Sequence, residues 1–167
     1  KKKIKLTKII KKKFLKLRQD YLTNKIPLLK TYEKSYYIKK NNTFLNKIKK
    51  NNSFNIVGMG GSILGSKSIY SFLKHKIKKN FIFFDNLKEQ SFNFNNKKQQ
   101  NNIIISKSGN TLETIVNLNL ILKNNKDNSN IFITELKDSN LFKVANKLKA
   151  EIIEHKNFIG GRYSVMS

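Results

Sequence analysis

The sequence predicts an α/β protein: a three-layer α/β/α sandwich built on a mostly parallel five-stranded sheet and preceded by helices. Three observations carry this expectation. From residue 54 onward, short β-branched and aromatic runs alternate with stretches of helical period. Several of those runs are apolar without alternation, the pattern of strands buried on both faces, and such strands belong to parallel sheets covered by helices. Two of the strands also empty into Gly- or hydroxyl-rich loops that open helices, which places these loops where doubly wound sheets hold ligands.

Residues 4–50 read as helices. Ile10, Phe14, Leu15 and Leu17 recur at helical spacing, and Pro27 ends or starts an element. A short helix over 39–52 breaks at Asn51-Asn52-Ser53. Strands follow at 54–57, 81–84, 102–105, 131–134 and 151–154, with helices over 63–73, 111–122 and 140–148. The Asn- and Lys-rich stretch 86–100 reads as a surface loop. We therefore divide the chain into a helical segment, 1–50, and an α/β domain, 51–167.

A net charge of +25 first suggests a nucleic-acid binder. Yet 33 of the 35 basic residues are lysines, without the forked geometry that arginine brings to phosphates and bases. Lys, Asn, Ile and Phe are the residues that AT-rich codons supply, so the charge reads as compositional drift, and no specific nucleic-acid partner is expected. The chain has no cysteine, and two histidines, His75 and His155, cannot close a zinc site by themselves. No metal or organic cofactor is expected. No apolar run has bilayer-spanning length and the basic N-terminus lacks a signal-peptide core, so a cytoplasmic protein without a membrane partner is expected.

The most informative stretch is NIIISKSGNTLET, residues 102–114. A buried strand there runs into Ser106-Lys107-Ser108-Gly109-Asn110-Thr111 at a helix N-terminus. Free backbone N–H groups and the helix dipole favour an anion, and Ser106, Ser108 and Thr111 add hydroxyl donors. The obvious anion is a phosphate on a small molecule. An ordinary N-cap, Ser108 or Asn110 with Glu113 completing a capping box, accounts for one hydroxyl but not three. Upstream, Gly58-Met59-Gly60-Gly61-Ser62 also follows a strand and opens a helix, which Ser62 could cap. A dinucleotide loop would want a small residue where Ile63 stands, although Asp85 falls where a ribose-binding acid would. A P-loop fails by register, because Ser66 occupies the lysine position and Lys67 comes one residue late. Near the C-terminus, Gly160-Gly161-Arg162 carries the lone arginine of the α/β region, behind two glycines that suggest a close backbone approach.

Together, Val57-Gly58-Met59-Gly60-Gly61-Ser62-Ile63-Leu64-Gly65, Ser106-Lys107-Ser108-Gly109-Asn110-Thr111-Leu112-Glu113-Thr114 and Asn157-Phe158-Ile159-Gly160-Gly161-Arg162-Tyr163-Ser164 resemble phosphoglucose isomerase in composition, order and separation. The first two segments resemble the broader sugar isomerase (SIS) domain group; the third narrows the resemblance. It covers roughly 54–167. It implies interconversion of glucose 6-phosphate and fructose 6-phosphate through a cis-enediol, with a sugar phosphate as partner and a homodimer when complete. It implies that Gly61, Ser62, Ser106, Lys107, Ser108, Gly109, Asn110 and Thr111 bind substrate and that Arg162 is catalytic, stabilising charge on the enediolate. Gly109 and Asn110 depart from the bulkier residues of many members. Lys107 contributes charge or points to solvent, and Glu113 orients a ligand or simply faces water. The family's proton-transferring Glu, ring-opening His and C-terminal Lys come later than the GGRYS segment. The chain, which does not begin with Met and stops inside that segment, is therefore expected to be an incomplete and inactive piece. The alternative function is a non-catalytic SIS module that senses a sugar phosphate.

Overall fold

The computed structural model describes residues 2–33, 46, 48–87, 100–124 and 129–161. The chain forms two compact units, 1–39 and 40–166. In the first, helix α1 (Lys2–Leu22) is followed by a 3₁₀ turn, Pro27–Tyr32. Asn24 ends the helix in the left-handed region, φ 56°, and the Lys25 N–H closes on the Asp20 carbonyl at 2.9 Å, a Schellman-type stop. Pro27 starts the turn, where its missing N–H costs nothing. The Tyr21 hydroxyl donates to Glu33 Oε1 at 2.7 Å and ties the turn back to α1.

The second unit runs β1 (Ser53–Gly58), α2 (Gly61–Leu73), β2 (Asn80–Phe84), β3 (Asn101–Ile105), α3 (Leu112–Asn124), β4 (Ser129–Thr134), α4 (Asn140–Lys147) and β5 (Glu151–Glu154). The strand order is β2-β1-β3-β4-β5 and every described pairing is parallel. From β1 the chain steps outward to β2, then returns across β1 to β3 and proceeds in the other direction. Right-handed crossovers then force α2 onto one face and α3 and α4 onto the other.

The packing agrees with that handedness. Phe54, Ile56 and Ile63 bury one face together with Phe81, Phe83, Ile103 and Ile105. Val57, Phe84, Ile104 and Phe132 bury the other beneath Leu118, Ile121, Leu141 and Ala145. The four strand residues of this second face form one row, since Val57 is in register with both Phe84 and Ile104, and Ile104 with Phe132. Ile104 is 0% exposed at the centre of that row. Ile104→Val, which removes one methylene there, is expected to lower the unfolding free energy by about 1 kcal/mol, measurable by urea titration.

One layer towards the strand N-termini, the same face is polar. Asn55 Nδ2 donates to Gln100 Oε1 at 2.9 Å and to Asn102 Oδ1 at 2.8 Å. Asn102 Nδ2 passes the chain on to Asn130 Oδ1 at 2.8 Å. On the opposite face, Asn101 Nδ2 donates to the Ile48 carbonyl at 3.1 Å, and its Oδ1 accepts from Asn51 Nδ2 at 3.0 Å. Asn55, Gln100, Asn101 and Asn102 are buried, so their bonds offset a desolvation cost that would otherwise destabilise the sheet. No helix among the described residues is long and apolar enough to cross a membrane.

Candidate functional site

In a sheet of order 2-1-3-4-5 the ligand crevice opens between the carboxyl ends of strands 1 and 3, where the strand order reverses. Gly58 and Ile105 are register partners at those ends. A Cβ on Gly58 would stand 3.0 Å from the Ile105 carbonyl oxygen, so glycine lets the two strands close here. Both loops singled out in the sequence leave from this point.

The first loop turns at Gly60, with φ 54° and ψ −124°, a conformation natural only to glycine. Gly60 is the N-cap of α2 and supplies no side-chain cap. Ser62 does not cap the helix as its sequence position suggested. It lies within the first turn, half-buried, with its N–H on the Met59 carbonyl at 3.2 Å. Ser62 and the second loop therefore lie at the starts of α2 and α3, at the carboxyl ends of β1 and β3. Asp85, the possible ribose acid, is instead ion-paired with Lys67 at 2.5 Å.

The second loop brings its three hydroxyls together. Ser106 is buried and its Oγ is hydrogen-bonded to Thr111 Oγ1 at 3.0 Å, while Ser108 Oγ stands 3.5 Å from the same Thr111 oxygen. The Gly109 N–H donates to Ser106 Oγ at 3.2 Å and the Asn110 N–H to Ser108 Oγ at 3.3 Å. Gly109 makes the turn in the left-handed region, φ 70°. Helix α3 starts immediately after Thr111, so its first-turn N–H groups, which helix geometry leaves unpaired, point towards the hydroxyl cluster. Buried Ser106 makes the floor of the cluster, and Ser108 with Thr111 makes its accessible rim. One turn further in, the Thr114 hydroxyl is fully buried and has no hydrogen-bond partner among the described residues.

The capping alternative for this loop takes a different form from the expected one. Asn110 Oδ1 accepts from the Asn140 N–H at 2.9 Å and the Gly109 carbonyl from the Leu141 N–H at 3.0 Å. Both donors belong to the first turn of α4, whose own N-cap, Ser139, accepts from the Phe142 N–H at 3.3 Å. The loop therefore caps a neighbouring helix with its middle and keeps the N-terminus of α3 for its hydroxyl side. Two N–H groups of α4 are consumed in holding the loop still.

Lys107 turns away from the hydroxyls. Its ammonium donates to the Asn157 carbonyl at 2.6 Å and lies 3.7 Å from Glu135 Oε1. Glu135, at the carboxyl end of β4, also pairs with Lys137 at 2.5 Å. The Lys137 hydrogen bond, then the charges of Lys137, Lys107 and His155, hold the Glu135 carboxyl below its ordinary value, against the opposing effect of burial. A lowered carboxylate contributes stability that is present above its unfolded value and is lost as pH falls through the native one. The stability difference between wild type and Glu135→Gln is thus expected to be present at neutral pH and to fade as the pH falls from about 4.3, the unfolded value, through the lower native one, as read from urea unfolding across that range. His155 is buried beside this cluster, with its backbone N–H on the Thr134 carbonyl at 2.8 Å, whereas His75 is exposed. Glu113 is half-buried in the first turn of α3.

Arg162, the candidate catalytic residue, lies outside the described residues. A Cβ at Gly161 would meet nothing within 4 Å among the described residues. Glu135 and Ser139 were not singled out in the sequence. Glu135 stands one residue past a predicted strand, on the ligand-bearing edge, and Ser139 immediately precedes a helix-period run; those positions were the available signals.

The family model that describes phosphoglucose isomerase matches residues 42–167. The chain belongs to the phosphoglucose isomerase family. The match takes in both crevice loops and the Gly160-Gly161-Arg162 segment. Among curated relatives, the glucose-6-phosphate isomerase of Methanocaldococcus jannaschii is 37% identical over 121 residues, 67% of this chain and 29% of the relative. The glucose-6-phosphate isomerase of Borreliella burgdorferi strain ZS7 is 35% identical over 127 residues, 66% of this chain and 24% of the relative. The chain thus spans between 24% and 29% of the length of these family members. Among solved structures, tagatose-6-phosphate ketose/aldose isomerase from Escherichia coli superposes with a TM-score of 0.61 at 17% identity, covering 75% of this chain and 38% of that one. The Vibrio vulnificus NanR protein, complexed with ManNAc-6P, gives 0.51 at 17% identity over 75% of this chain and 47% of that one. At such identities the likeness is one of fold, and the fold is the SIS-type sandwich that the sequence predicted.

Proposed function

We propose that this chain serves the isomerisation of glucose 6-phosphate and fructose 6-phosphate, and that its described portion is the phosphate grip of that reaction. The observation that carries the reading is the convergence of Ser106, Ser108 and Thr111 on one point at the N-terminus of α3, beside the switch in strand order. Three hydroxyls and a turn of free N–H groups suit a phosphate dianion better than any neutral ligand. Across the crevice, Gly61 and Ser62 face the same sugar phosphate from the first turn of α2, and Gly109 and Asn110 hold the turn. A grip on a phosphate remote from the reacting carbons converts binding energy into positioning of the sugar for proton transfer.

The chemistry of an aldose–ketose exchange fixes what else is needed. The ring must open, and a carboxylate must carry a proton between C1 and C2 through the cis-enediol. Arg162 is assigned by family resemblance to the charge that develops on the enediolate oxygens. The base and the ring-opening acid are assigned to the portion of the family that lies beyond the residues matched here. The 167 residues alone are accordingly expected to bind sugar phosphate without turning it over.

Calorimetric titration tests the reading. Fructose 6-phosphate should bind the chain in the micromolar to millimolar range and fructose should not. Binding of neither, or of both equally, would sink the phosphate grip. Measurable isomerase turnover by the purified chain, free of host enzyme, would refute the division of labour.

A further inference from the structure

Lys107 lies between two hydroxyl-bearing residues of the anion loop, yet its ammonium is committed elsewhere. It reaches across to the carbonyl of Asn157, at 2.6 Å, in the segment that follows β5. Glu135 stands beside it at 3.7 Å and is itself held by Lys137 at 2.5 Å. The backbone repeats the arrangement: the Glu135 N–H donates to the Lys107 carbonyl at 3.2 Å, and Thr134 Oγ1 reaches the same oxygen at 3.5 Å. The Glu135 side chain is only 13% exposed and that of Lys107 31%, so the pair is shielded more than a surface ion pair and holds one geometry. Asn157 comes two residues after buried His155 and three before Gly160. An ammonium with three donors can serve a carbonyl and a carboxylate at once, and a carboxylate already anchored by a second cation keeps that ammonium from rotating towards the loop.

We propose that Lys107 and Glu135 are positioning residues: Glu135, anchored by Lys137, holds the Lys107 ammonium against the Asn157 carbonyl, and this brace sets the segment leading into Gly160-Gly161 against the hydroxyl loop. Lys107 is then a strut of the site rather than a ligand of the phosphate. On the sugar-phosphate reading, which this consequence requires, the brace fixes the spacing between the phosphate end of the substrate and residues 157–161.

Two measurements test it. The first needs no ligand. Hydrogen exchange of residues 155–161 is compared in wild type, Lys107→Met, Glu135→Gln and the double variant. Lys107→Met keeps the packed stem and removes the charge. Each single change should speed exchange of that segment about tenfold, and the double variant should be no faster than the faster single. Unchanged exchange in both singles, or effects that multiply in the double, would overturn the brace. The second measurement compares inorganic phosphate with fructose 6-phosphate. Lys107→Met should keep its affinity for inorganic phosphate within about twofold while losing about tenfold for fructose 6-phosphate. A tenfold loss for inorganic phosphate would make Lys107 a phosphate ligand and overturn the proposal. If wild type takes up neither compound, the sugar-phosphate reading fails, and the exchange measurement alone decides on the brace.

Discussion

Replacing Ser106, Ser108 and Thr111 together by alanine is expected to lower the affinity for fructose 6-phosphate by at least about 100-fold, enough to abolish detectable binding, because each hydroxyl bond to a charged phosphate contributes about 1.5–3 kcal/mol. The three oxygens meet at Thr111 Oγ1, so an arriving anion exchanges bonds among them for bonds to itself. The change has a separable structural cost. Ser106 Oγ also accepts from the Gly109 N–H, and Ser108 Oγ from the Asn110 N–H, both inside the loop. Those losses are worth about 1 kcal/mol each and leave the sheet core untouched. Circular dichroism melts and calorimetry on the same samples separate the two effects. A folded triple variant with unchanged affinity would place the phosphate elsewhere.

Gly109→Ala should be the most damaging single substitution in the loop. A Cβ there would stand 2.2 Å from Ser139 Oγ, 2.7 Å from Ser139 Cβ and 3.1 Å from Thr134 Oγ1, at a φ of 70° that alanine resists. Ser139 cannot yield, because its Oγ caps α4. We expect a loss of about 3 kcal/mol or more in unfolding free energy, from overlap and left-handed strain combined. Adding Ser139→Gly removes both clashing atoms for the small cost of a glycine cap, and should recover most of that loss but not the strain. Gly60→Ala is the control: its φ is 54°, yet a Cβ there meets nothing within 4 Å among the described residues, so backbone strain is the cost they impose. Equal losses at the two glycines in urea titrations would mean that the contact with Ser139 is not what restricts position 109.

The fold was legible because its strands are short, apolar and separated by helix-period runs. Each of the five predicted strands is present within a residue or two, and the expectation of a mostly parallel sheet holds for every described pair. The gathering of three hydroxyls was also readable, since a strand, a tight loop and a helix start leave Ser106 and Thr111 little freedom. The direction of side chains was not. Asn110 at a helix entry looks like a cap for its own helix, and only the approach of α4 gives it a closer customer in Asn140. Lys107 beside two serines looks like a phosphate cation, and only the proximity of β4 and the segment after β5 shows a carboxylate and a carbonyl competing for it. Partners that are 28 and 50 residues away along the chain leave no trace in local spacing.

The amide chain at the base of the sheet bears on how these strands find each other. Runs such as Ile103-Ile104-Ile105 against Ile131-Phe132-Ile133 would pair almost equally well after a slip, because one large apolar side chain replaces another. The Asn55–Asn102–Asn130 relay has no such tolerance. Moving β1 or β4 by one residue turns Asn55 or Asn130 to the opposite face, and takes from buried Asn102 a partner that it holds in the native register. The polar layer thus works as an alignment key, penalising misthreaded sheets more than it stabilises the native one, and it brings Gly58 level with Ile105 at the far end of the strands, where the crevice begins.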